Sequence, residues 1–422
     1  MNKQKNIPEI RFPEFNAELE RKRLGKIIYK TDKKNKENLD LPVYSINNTK
    51  GFLPQAEQFE GRNSNDRGFD ISIYKIINKN TFAYNPARIN VGSIGYSFDL
   101  DNILVSSLYV CFKTKESLDD IFLLHFLKTV SFNTSILRYE EGGVRKYLFF
   151  DNISKIPIFL PSIEEQKRIA SFLSVTDKRL AQLKEKKALL TAYKKGMMQK
   201  IFSQELRFKD ENRGEFPDWE KKKFGEVFSF HSTNSFSRDN LNYKAGFVKN
   251  IHYGDIHTKF NSHFETTKEF VPFINAEIEL SKISKINYCK EGDLIIADAS
   301  EDYEDVGKCI EIIELNNEKV LAGLHTIHAR PNSEKITIGF SGHLMKSAKI
   351  RLQIKVIAQG TKVLSISATR LSNIKISLPS ISEQTKIAKF LSGIDNKISI
   401  CQSKIEQTQE YKKSLLQKMF CV

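Results

Sequence analysis

The sequence predicts an α+β protein with an internal pseudo-two-fold repeat, in which two globular α+β heads are separated by two long helices that pair as an antiparallel coiled coil. The first observation is that residues 160–202 recur without a gap as residues 378–420, so that both ends are displaced by 218 positions. The second is that each copy has the pattern of one long helix. The third is that a different stretch with short strand-like runs precedes each copy. A long gapless repeat indicates internal duplication, which fixes the architecture.

Each copy begins with a signal for the start of a helix. Ser162 and Glu165 in the first copy, and Ser380 and Glu383 in the second, have the spacing of a capping box. In such a box the serine accepts from the N3 amide and the glutamate reaches back to the cap amide. No proline follows within either copy. At ~1.5 Å per residue, each helix would be roughly 60 Å long.

Apolar residues then repeat every seven positions in both copies, which is the pattern of a coiled coil with polar interruptions. Two such helices in one chain most simply pair with each other. The residues predicted to form this pairing are Ile169, Leu173, Leu180, Leu183 and Leu190 in the first copy and Ile387, Leu391, Ile394, Ile398, Ile405 and Leu415 in the second.

The duplicated unit consists of a polar lead-in, a variable head and a long helix. The chain is therefore predicted to divide into a lead-in and first head at 1–158, a central helical spacer at 159–205, a second lead-in and head at 206–376 and a C-terminal helical spacer at 377–422. Short alternating or apolar runs in the heads are typical of strands, which makes each head α+β. The heads share no visible similarity in detail except at their ends, where they align at the same offset.

The composition favours an anionic partner. The formal net charge is +15 over 422 residues, and the sequence pI is about 9.3. Nucleic acid is favoured over a membrane, because no apolar run is long enough to span a bilayer and the first ten residues lack the apolar core of a signal peptide. The five cysteines are scattered and the eight histidines show no ligand spacing, which predicts a cytoplasmic protein with reduced thiols and no metal site.

Several motifs together resemble one protein family. The opening L-P-S-I-x-E-Q-x-x-I-A-x-F-L-S occurs twice, each time after a variable head, and is similar to that of the specificity (S) subunit of type I restriction–modification systems. The lead-in R-F-P-x-F and the stretches 82–95 and 250–259 also resemble such subunits. The resemblance implies two target recognition domains, each reading one half of an asymmetric bipartite site in double-stranded DNA. It also implies that the helices set the spacer and dock two modification (methyltransferase) subunits, which the restriction (endonuclease and translocase) subunits join.

The sequence carries no complete catalytic motif, which predicts a chain without catalytic residues of its own. Residues 85–88 read Asn-Pro-Ala-Arg and lack the second proline and the aromatic residue of the amino-methyltransferase motif. The acidic run at 298–305 lacks the carboxylate and lysine spacing of a nuclease, and no phosphate-binding G-x-x-x-x-G-K-[ST] motif is present. S-adenosylmethionine, ATP and Mg²⁺ are therefore expected in partner subunits. A stand-alone DNA-binding scaffold or regulator without a modification partner stays open as the alternative.

Candidate DNA contacts follow from residue type, because Arg, Lys, Asn and Gln read base edges and basic or hydroxyl groups hold phosphates. Polar loops near 44–50 and 84–90 are favoured in the first head, and a histidine-rich stretch near 252–259 is favoured in the second. Structural roles stay open for the histidines and, as an ion pair, for Arg88. The predicted DNA-binding residues are Tyr44, Asn47, Asn85, Arg88, Asn90, Arg145 and Lys146 in the first head, and His252, Tyr253, His257, Lys259, His328, Arg330 and Lys362 in the second.

Overall fold

The structure is a computed structural model with full side chains. The residues it describes are 7–58, 68 and 70–421. The chain forms two compact units: unit 1 contains residues 1–184 and 403–422, and unit 2 contains residues 185–402. Each unit combines one head with part of each long helix. The four-segment division expected from the sequence stays a prediction.

Within its described residues, the head of unit 1 contains two four-stranded sheets and a separate two-stranded one. Its strands are β1 (Glu20–Arg23), β2 (Ile28–Thr31), β3 (Val43–Asn47), β4 (Gly51–Pro54), β5 (Lys75–Ile77), β6 (Phe82–Tyr84), β7 (Ile94–Tyr96), β8 (Ile103–Val105), β9 (Val110–Thr114) and β10 (Pro157–Leu160). Its helices are α1 (Leu24–Ile27), α2 (Gln55–Gln58), α3 (Asp120–Phe126), α4 (Val130–Tyr139) and α5 (Phe150–Ile153). The four-stranded sheets have the strand orders β2-β9-β6-β7 and β4-β3-β8-β5.

The long helices are α6 (Ile163–Phe202) and α11 (Ile381–Met419). The head of unit 2 lies between them in sequence. Its strands are β11 (Glu220–Lys223), β12 (Phe228–His231), β13 (Leu241–Asn242), β14 (Val248–Ile251), β15 (His263–Glu265), β16 (Phe273–Ile274), β17 (Leu294–Ala297), β18 (Ala299–Ser300), β19 (Cys309–Glu314), β20 (Lys319–Ala322), β21 (Thr326–Pro331), β22 (Leu364–Ser365) and β23 (Lys375–Leu378). Its helices are α7 (Tyr253–Thr258), α8 (Ser341–Met345), α9 (Ala348–Ile357) and α10 (Ala368–Ser372).

The two heads share part of their strand topology, although their sequences show no detailed similarity and their second sheets differ in order, β4-β3-β8-β5 in unit 1 and β13-β16-β14-β20 in unit 2. The order β2-β9-β6-β7 in unit 1 corresponds to β12-β21-β17-β19 in unit 2, where β15 adds a fifth strand at the edge. In the second sheet of each head, a strand pairs in parallel with one that follows much later, β3 with β8 and β14 with β20. The loops that follow corresponding strands of the two heads can therefore be compared.

Each head is joined to its long helix through a two-stranded antiparallel sheet. In unit 1, β1 pairs with β10, with Glu20 opposite Leu160. In unit 2, β11 pairs with β23, with Glu220 opposite Leu378. Because the first and last strands of each head pair with each other, the rest of the head is inserted between two neighbouring strands.

The start of each long helix is capped differently from the predicted capping box. The Ser162 hydroxyl lies 3.3 Å from the Glu165 amide, as expected for the first half of the box. The Glu165 carboxylate instead accepts from Arg11, with both N–O distances at 2.7 Å. A bidentate guanidinium is a stronger partner for a carboxylate than one amide, which explains the correction. Glu383 likewise binds Arg207, at 3.2 and 2.8 Å, and also accepts from the Trp219 indole at 3.1 Å.

The long helices pair antiparallel in unit 2. The Lys194 ammonium donates to both oxygens of Asp395, and Lys187 donates to Gln402, so residue numbers fall along α6 as they rise along α11. In unit 1, Lys412 donates to Asp177. These residues are the repeat equivalents of Lys194 and Asp395, but here the lysine lies on α11 and the aspartate on α6. These contacts confirm the predicted antiparallel coiled coil.

Burial of the predicted seam follows this pairing. Near their attachment to the heads, the helices join each head's core through fully buried residues such as Leu173 in unit 1 and Leu391 in unit 2. The other buried seam residues are Ile169, Leu183, Ile387, Ile394, Ile405 and Leu415, whereas Leu180, Leu190 and Ile398 are half-buried.

Candidate nucleic-acid interface

Two loops of the first head, those after β3 and β6, meet at one place. Asn47 shapes the first, because its side-chain oxygen accepts from the amides of Thr49 at 2.9 Å and Lys50 at 3.2 Å. The second ends in Gly92, which has φ +90°, and an added Cβ there would stand 2.8 Å from the Asn48 carbonyl oxygen. Only glycine tolerates both the backbone angle and this close approach.

The convergence presents polar side chains to solvent. Arg88 and Asn90 are exposed, and Arg88 forms no ion pair within the described part of the chain. Its structural alternative, an ion pair, is therefore not supported there. Asn85 has a local role, since its side chain accepts from the Ala87 amide at 3.0 Å. Tyr44 is half-buried and packs on a small apolar core, so part of its side chain contributes to the packing of the head.

The topologically equivalent loops of the second head, those after β14 and β17, also meet. The His257 ring lies 3.0 Å from the Ala299 carbonyl oxygen, and Lys308 donates to the His257 carbonyl oxygen at 2.7 Å. Sequence-unrelated loops thus converge at the same place in both heads. This shared location is the candidate interface.

Histidines of the second head differ in their availability at this interface. His252 is buried and caps α7 by accepting from the Gly254 amide at 3.2 Å, and burial lowers its pKa to about 4. It is therefore a neutral structural group, which corrects its predicted DNA contact. His257 is held against the backbone as described above. Tyr253 packs edge-on against His325, whose side chain is 52% exposed.

Lys259 remains at the surface of the same loop. Its ammonium binds Asp255 at 2.9 Å and the Tyr243 hydroxyl at 3.0 Å, with the side chain 49% exposed. These contacts fix the position of the charge and leave about half of the side chain accessible. Hydrogen bonds to the Tyr243 hydroxyl and to Asp255 raise its pKa, so it stays cationic.

The prediction for His328 is wrong, because its side chain is used in an internal network out of reach of a partner. Arg330 is half-buried and belongs to the same network, so its contact with DNA stays a prediction. His328 is fully buried, 2.6 Å from Asp293. Arg330 binds both oxygens of the same carboxylate and the backbone carbonyls of Ile286 and Tyr288. Burial alone would raise the pKa of Asp293, but the hydrogen bonds from His328 and Arg330 bring it below its usual value. Alternation along β21 was predicted correctly, but the face that these residues share points inward.

A third loop has the same backbone in both heads. Residues Glu141 and Tyr147 form an isolated bridge in unit 1, and Gln359 and Ser365 form the same bridge in unit 2. The loop turns through a glycine, at position 142 or 360, with φ of +123° or +128°. An added Cβ would stand 2.3 or 1.9 Å from a backbone oxygen, so glycine is required.

Exposed cations follow these glycines. Arg145, Lys146 and Lys362 are all exposed, and Lys146 also pairs with Glu140 at 3.2 Å. At the tip of the loop, Val144 of unit 1 is fully exposed at the position that Lys362 takes in unit 2. The two loops therefore share a shape and differ in the side chain they present.

Comparison with known proteins gives a specific result. The family model for the type I restriction modification DNA specificity domain matches residues 17–192 and again 217–410. The chain belongs to this family. A type I restriction enzyme specificity subunit of Methanocaldococcus jannaschii, MjaVIII, is 31% identical over 356 residues, covering 81% of this chain and 78% of the relative. A second, putative subunit of the same organism, MjaX, is 24% identical, covering 92% of this chain and 88% of the relative.

Solved structures from type I restriction–modification systems have the same fold. The crystal structure of a type I restriction–modification S subunit from M. genitalium matches with a TM-score of 0.57 at 16% identity, covering 99% of both chains. A chain from a study of complex assembly and conformational transition of the type I system matches with a TM-score of 0.55, also at 16% identity, covering 96% of this chain and 98% of that one. The α+β specificity-subunit fold predicted from the sequence is thereby confirmed. Searching the described residues of this family member finds no helix with the length and apolar character that crossing a membrane requires.

One candidate in this specificity subunit was missed by sequence reasoning. His325 precedes β21 with φ +54° and is exposed beside Tyr253. Its position at the converging loops depends on the pairing of β14 with β20, which brings the β20–β21 turn next to α7. No spacing in the sequence carries that information.

Proposed function

We propose that this chain is the double-stranded DNA-binding specificity subunit of a type I restriction–modification complex, with each head reading one half of an asymmetric bipartite site. The helices set the spacer and dock two modification subunits, and restriction subunits join that core. The observation that carries the proposal is the convergence of loops at the same topological place in two heads of unlike sequence. Such a design suits one task performed on two different targets. The alternative of a stand-alone regulator is favoured by no observation.

Catalysis is assigned to the partner subunits, which supply S-adenosylmethionine, ATP and Mg²⁺. Three carboxylates of the acidic run support this view, because each lies against a basic side chain rather than converging with the others. Glu304 pairs with Lys355, Asp305 lies 3.6 Å from Lys308, and Asp298 lies 3.3 Å from His325. The cytoplasmic location expected from the sequence stays a prediction.

Exchange of one head tests the proposed function. Residues 24–156 are replaced with the corresponding head of another family member, while β1 and β10 stay in place. Because the head is inserted between paired strands, the chimera keeps the attachment to α6. We expect the methylated sequence, mapped in cells that carry the modification subunit, to change in one half only. Replacing residues 224–374 instead should change the other half, and a change in both halves from either exchange would contradict independent reading.

Two single substitutions, compared on cognate and non-cognate DNA, distinguish a phosphate contact from a base contact. Lys362→Ala should weaken binding about equally on cognate and non-cognate duplexes and lower the salt slope by roughly one, because the lysine is proposed to hold a phosphate. Arg88→Ala should cost about 1–3 kcal/mol on cognate DNA only, because the arginine is proposed to read a base. Exposed Lys397 on α11, changed to alanine, is the control. Binding is measured by fluorescence anisotropy across a salt series, and a cognate-selective loss for Lys362→Ala would make that residue a base reader.

A further inference from the structure

A group of possible metal ligands lies in unit 2. It consists of His263 on β15, His343 on α8 and Asp395 on α11, and one ligand atom from each lies within 4.8 Å of the others. His263 Nδ1 is 3.8 Å from an Asp395 oxygen, and the two imidazole rings meet edge-on with centroids 4.3 Å apart. Three separate elements thus bring two imidazoles and one carboxylate to one point.

Both imidazoles are prepared as ligands by contacts on the far side of the ring. His263 Nε2 lies 3.1 Å from the Gly339 carbonyl oxygen. Because a carbonyl only accepts, Nε2 carries the proton and Nδ1 offers its lone pair. Metal-ligating histidines are usually oriented in this way. His343 Nε2 lies 3.3 Å from the Ser392 hydroxyl, and its buried Nδ1 has no hydrogen-bond partner within the described part of the chain.

Two lysines lie near the three ligands. Lys194 binds both Asp395 oxygens at 2.6 and 2.5 Å, and Lys346 donates to the Ser262 hydroxyl at 2.6 Å. Lys194 is therefore the group with which a metal ion would compete for Asp395.

The duplication supplies an internal comparison. His125, Asp177 and Lys412 in unit 1 stand at the same repeat positions as His343, Asp395 and Lys194 in unit 2. His125 is buried, 4.0 Å from Asp177, which Lys412 contacts. The third ligand comes from β15, the extra edge strand that the sheet of unit 1 lacks within its described residues. The complete set of three is therefore a property of unit 2.

We infer that unit 2 binds a Zn²⁺ ion through His263, His343 and Asp395, with water as the fourth ligand. Zinc prefers tetrahedral sites with imidazole and carboxylate ligands, and bond lengths of ~2.0–2.2 Å place ligand atoms about 3.4 Å apart. The observed spread of up to 4.8 Å closes by side-chain rotation. Asp395 is 35% exposed, which leaves a path for the ion to enter. The ion would link the head of unit 2 directly to α11 and release Lys194 from its carboxylate.

Metal titration of the full chain tests the inference. Purified metal-free protein is titrated with Zn²⁺ by calorimetry and with Co²⁺ by visible absorption, which reports tetrahedral nitrogen and oxygen ligation. We expect one ion per chain and a Zn²⁺-dependent rise in the thermal midpoint. His263→Gln and Asp395→Asn should each weaken binding at least about tenfold. Lys194→Met should tighten binding by roughly tenfold, because it removes a competing charge.

The matched control is His125→Gln, which changes the equivalent histidine of unit 1 and should leave both affinity and stoichiometry unchanged. The thermal midpoint of each variant without metal shows whether weaker Zn²⁺ binding comes from the loss of a ligand or from a destabilised fold. The tighter binding expected for Lys194→Met cannot be produced by destabilisation. Absence of stoichiometric Zn²⁺ binding to the folded chain would overturn the inference. So would binding that survives both His263→Gln and Asp395→Asn, because the ion would then lie elsewhere.

Discussion

Replacing Glu383 with alanine is expected to lower the free energy of unfolding of unit 2 by about 3–5 kcal/mol, the usual cost of leaving one partner of a buried ion pair alone. The Glu383 side chain is fully buried and accepts from the guanidinium of Arg207 and the indole of Trp219. Its removal takes the buried carboxylate from a cation that is only 23% exposed, which keeps its bonds to the Phe216 and Pro217 carbonyl oxygens, and leaves one indole N–H without its acceptor. The network also joins the lead-in to the start of α11, so its loss should loosen that junction.

The measurement uses the fact that Trp219 is the only tryptophan in the 422-residue chain. Urea unfolding followed by tryptophan emission reports unit 2, while circular dichroism reports the whole chain. Glu165→Ala is the matched control, because Glu165 binds Arg11 in the equivalent way in unit 1. That variant should shift the circular dichroism transition and leave the tryptophan transition near its original midpoint. Equal tryptophan midpoints for Glu383→Ala and the unaltered chain would show that the network contributes little.

Lengthening both long helices by one turn is expected to lengthen the spacer of the DNA target while leaving both half-sites unchanged. Four residues are added between Ala188 and Leu189 of α6 and four between Ile400 and Cys401 of α11. These points lie opposite each other, because Lys187 bonds with Gln402 beside them. Four residues add ~6 Å at ~1.5 Å per residue. One base pair rises ~3.4 Å, so the spacer should grow by one or two base pairs.

Adding four residues to α6 alone is the control for this second prediction. It shifts α6 against α11 on one side of the insertion, so the Lys194–Asp395 and Lys412–Asp177 pairs cannot both form. We expect that variant to lose stability and methylation activity. Methylome sequencing reads the spacer directly. A folded, active double insertion that methylates the original spacing would rule out a measuring role for the helices.

Periodic features of the fold could be predicted from the sequence because they depend on local spacing. The repeat gave both long helices, and the heptads correctly placed residues such as Leu173 and Leu391 in the core. Only the serine half of the predicted capping boxes was confirmed. Ser162 caps its helix, but the glutamate role depended on Arg11, which lies 154 positions away. Long-range charge pairing of this kind leaves no local pattern.

The candidate interface was less predictable, because residue type does not reveal which face of a strand is buried. Arg88 and His328 have equally suitable chemistry for DNA, yet one is exposed and the other is locked against Asp293. The strand order that the two heads share could not be predicted either, since strand order depends on pairings such as β14 with β20 rather than on sequence similarity. The cluster of His263, His343 and Asp395 spans 132 positions, so no ligand spacing could indicate it.

The reciprocal ion pairs of the long helices have a consequence for a half-length chain. Lys194 of the first copy binds Asp395 of the second, and Lys412 of the second copy binds Asp177 of the first. A half-length chain with a single copy would carry both the lysine and the aspartate on one helix without a partner for either. Two such chains arranged about a two-fold axis would satisfy all four groups at once. The present protein therefore contains, within one polypeptide, the helix contacts that two copies of a half-length chain would form by exchanging their long helices.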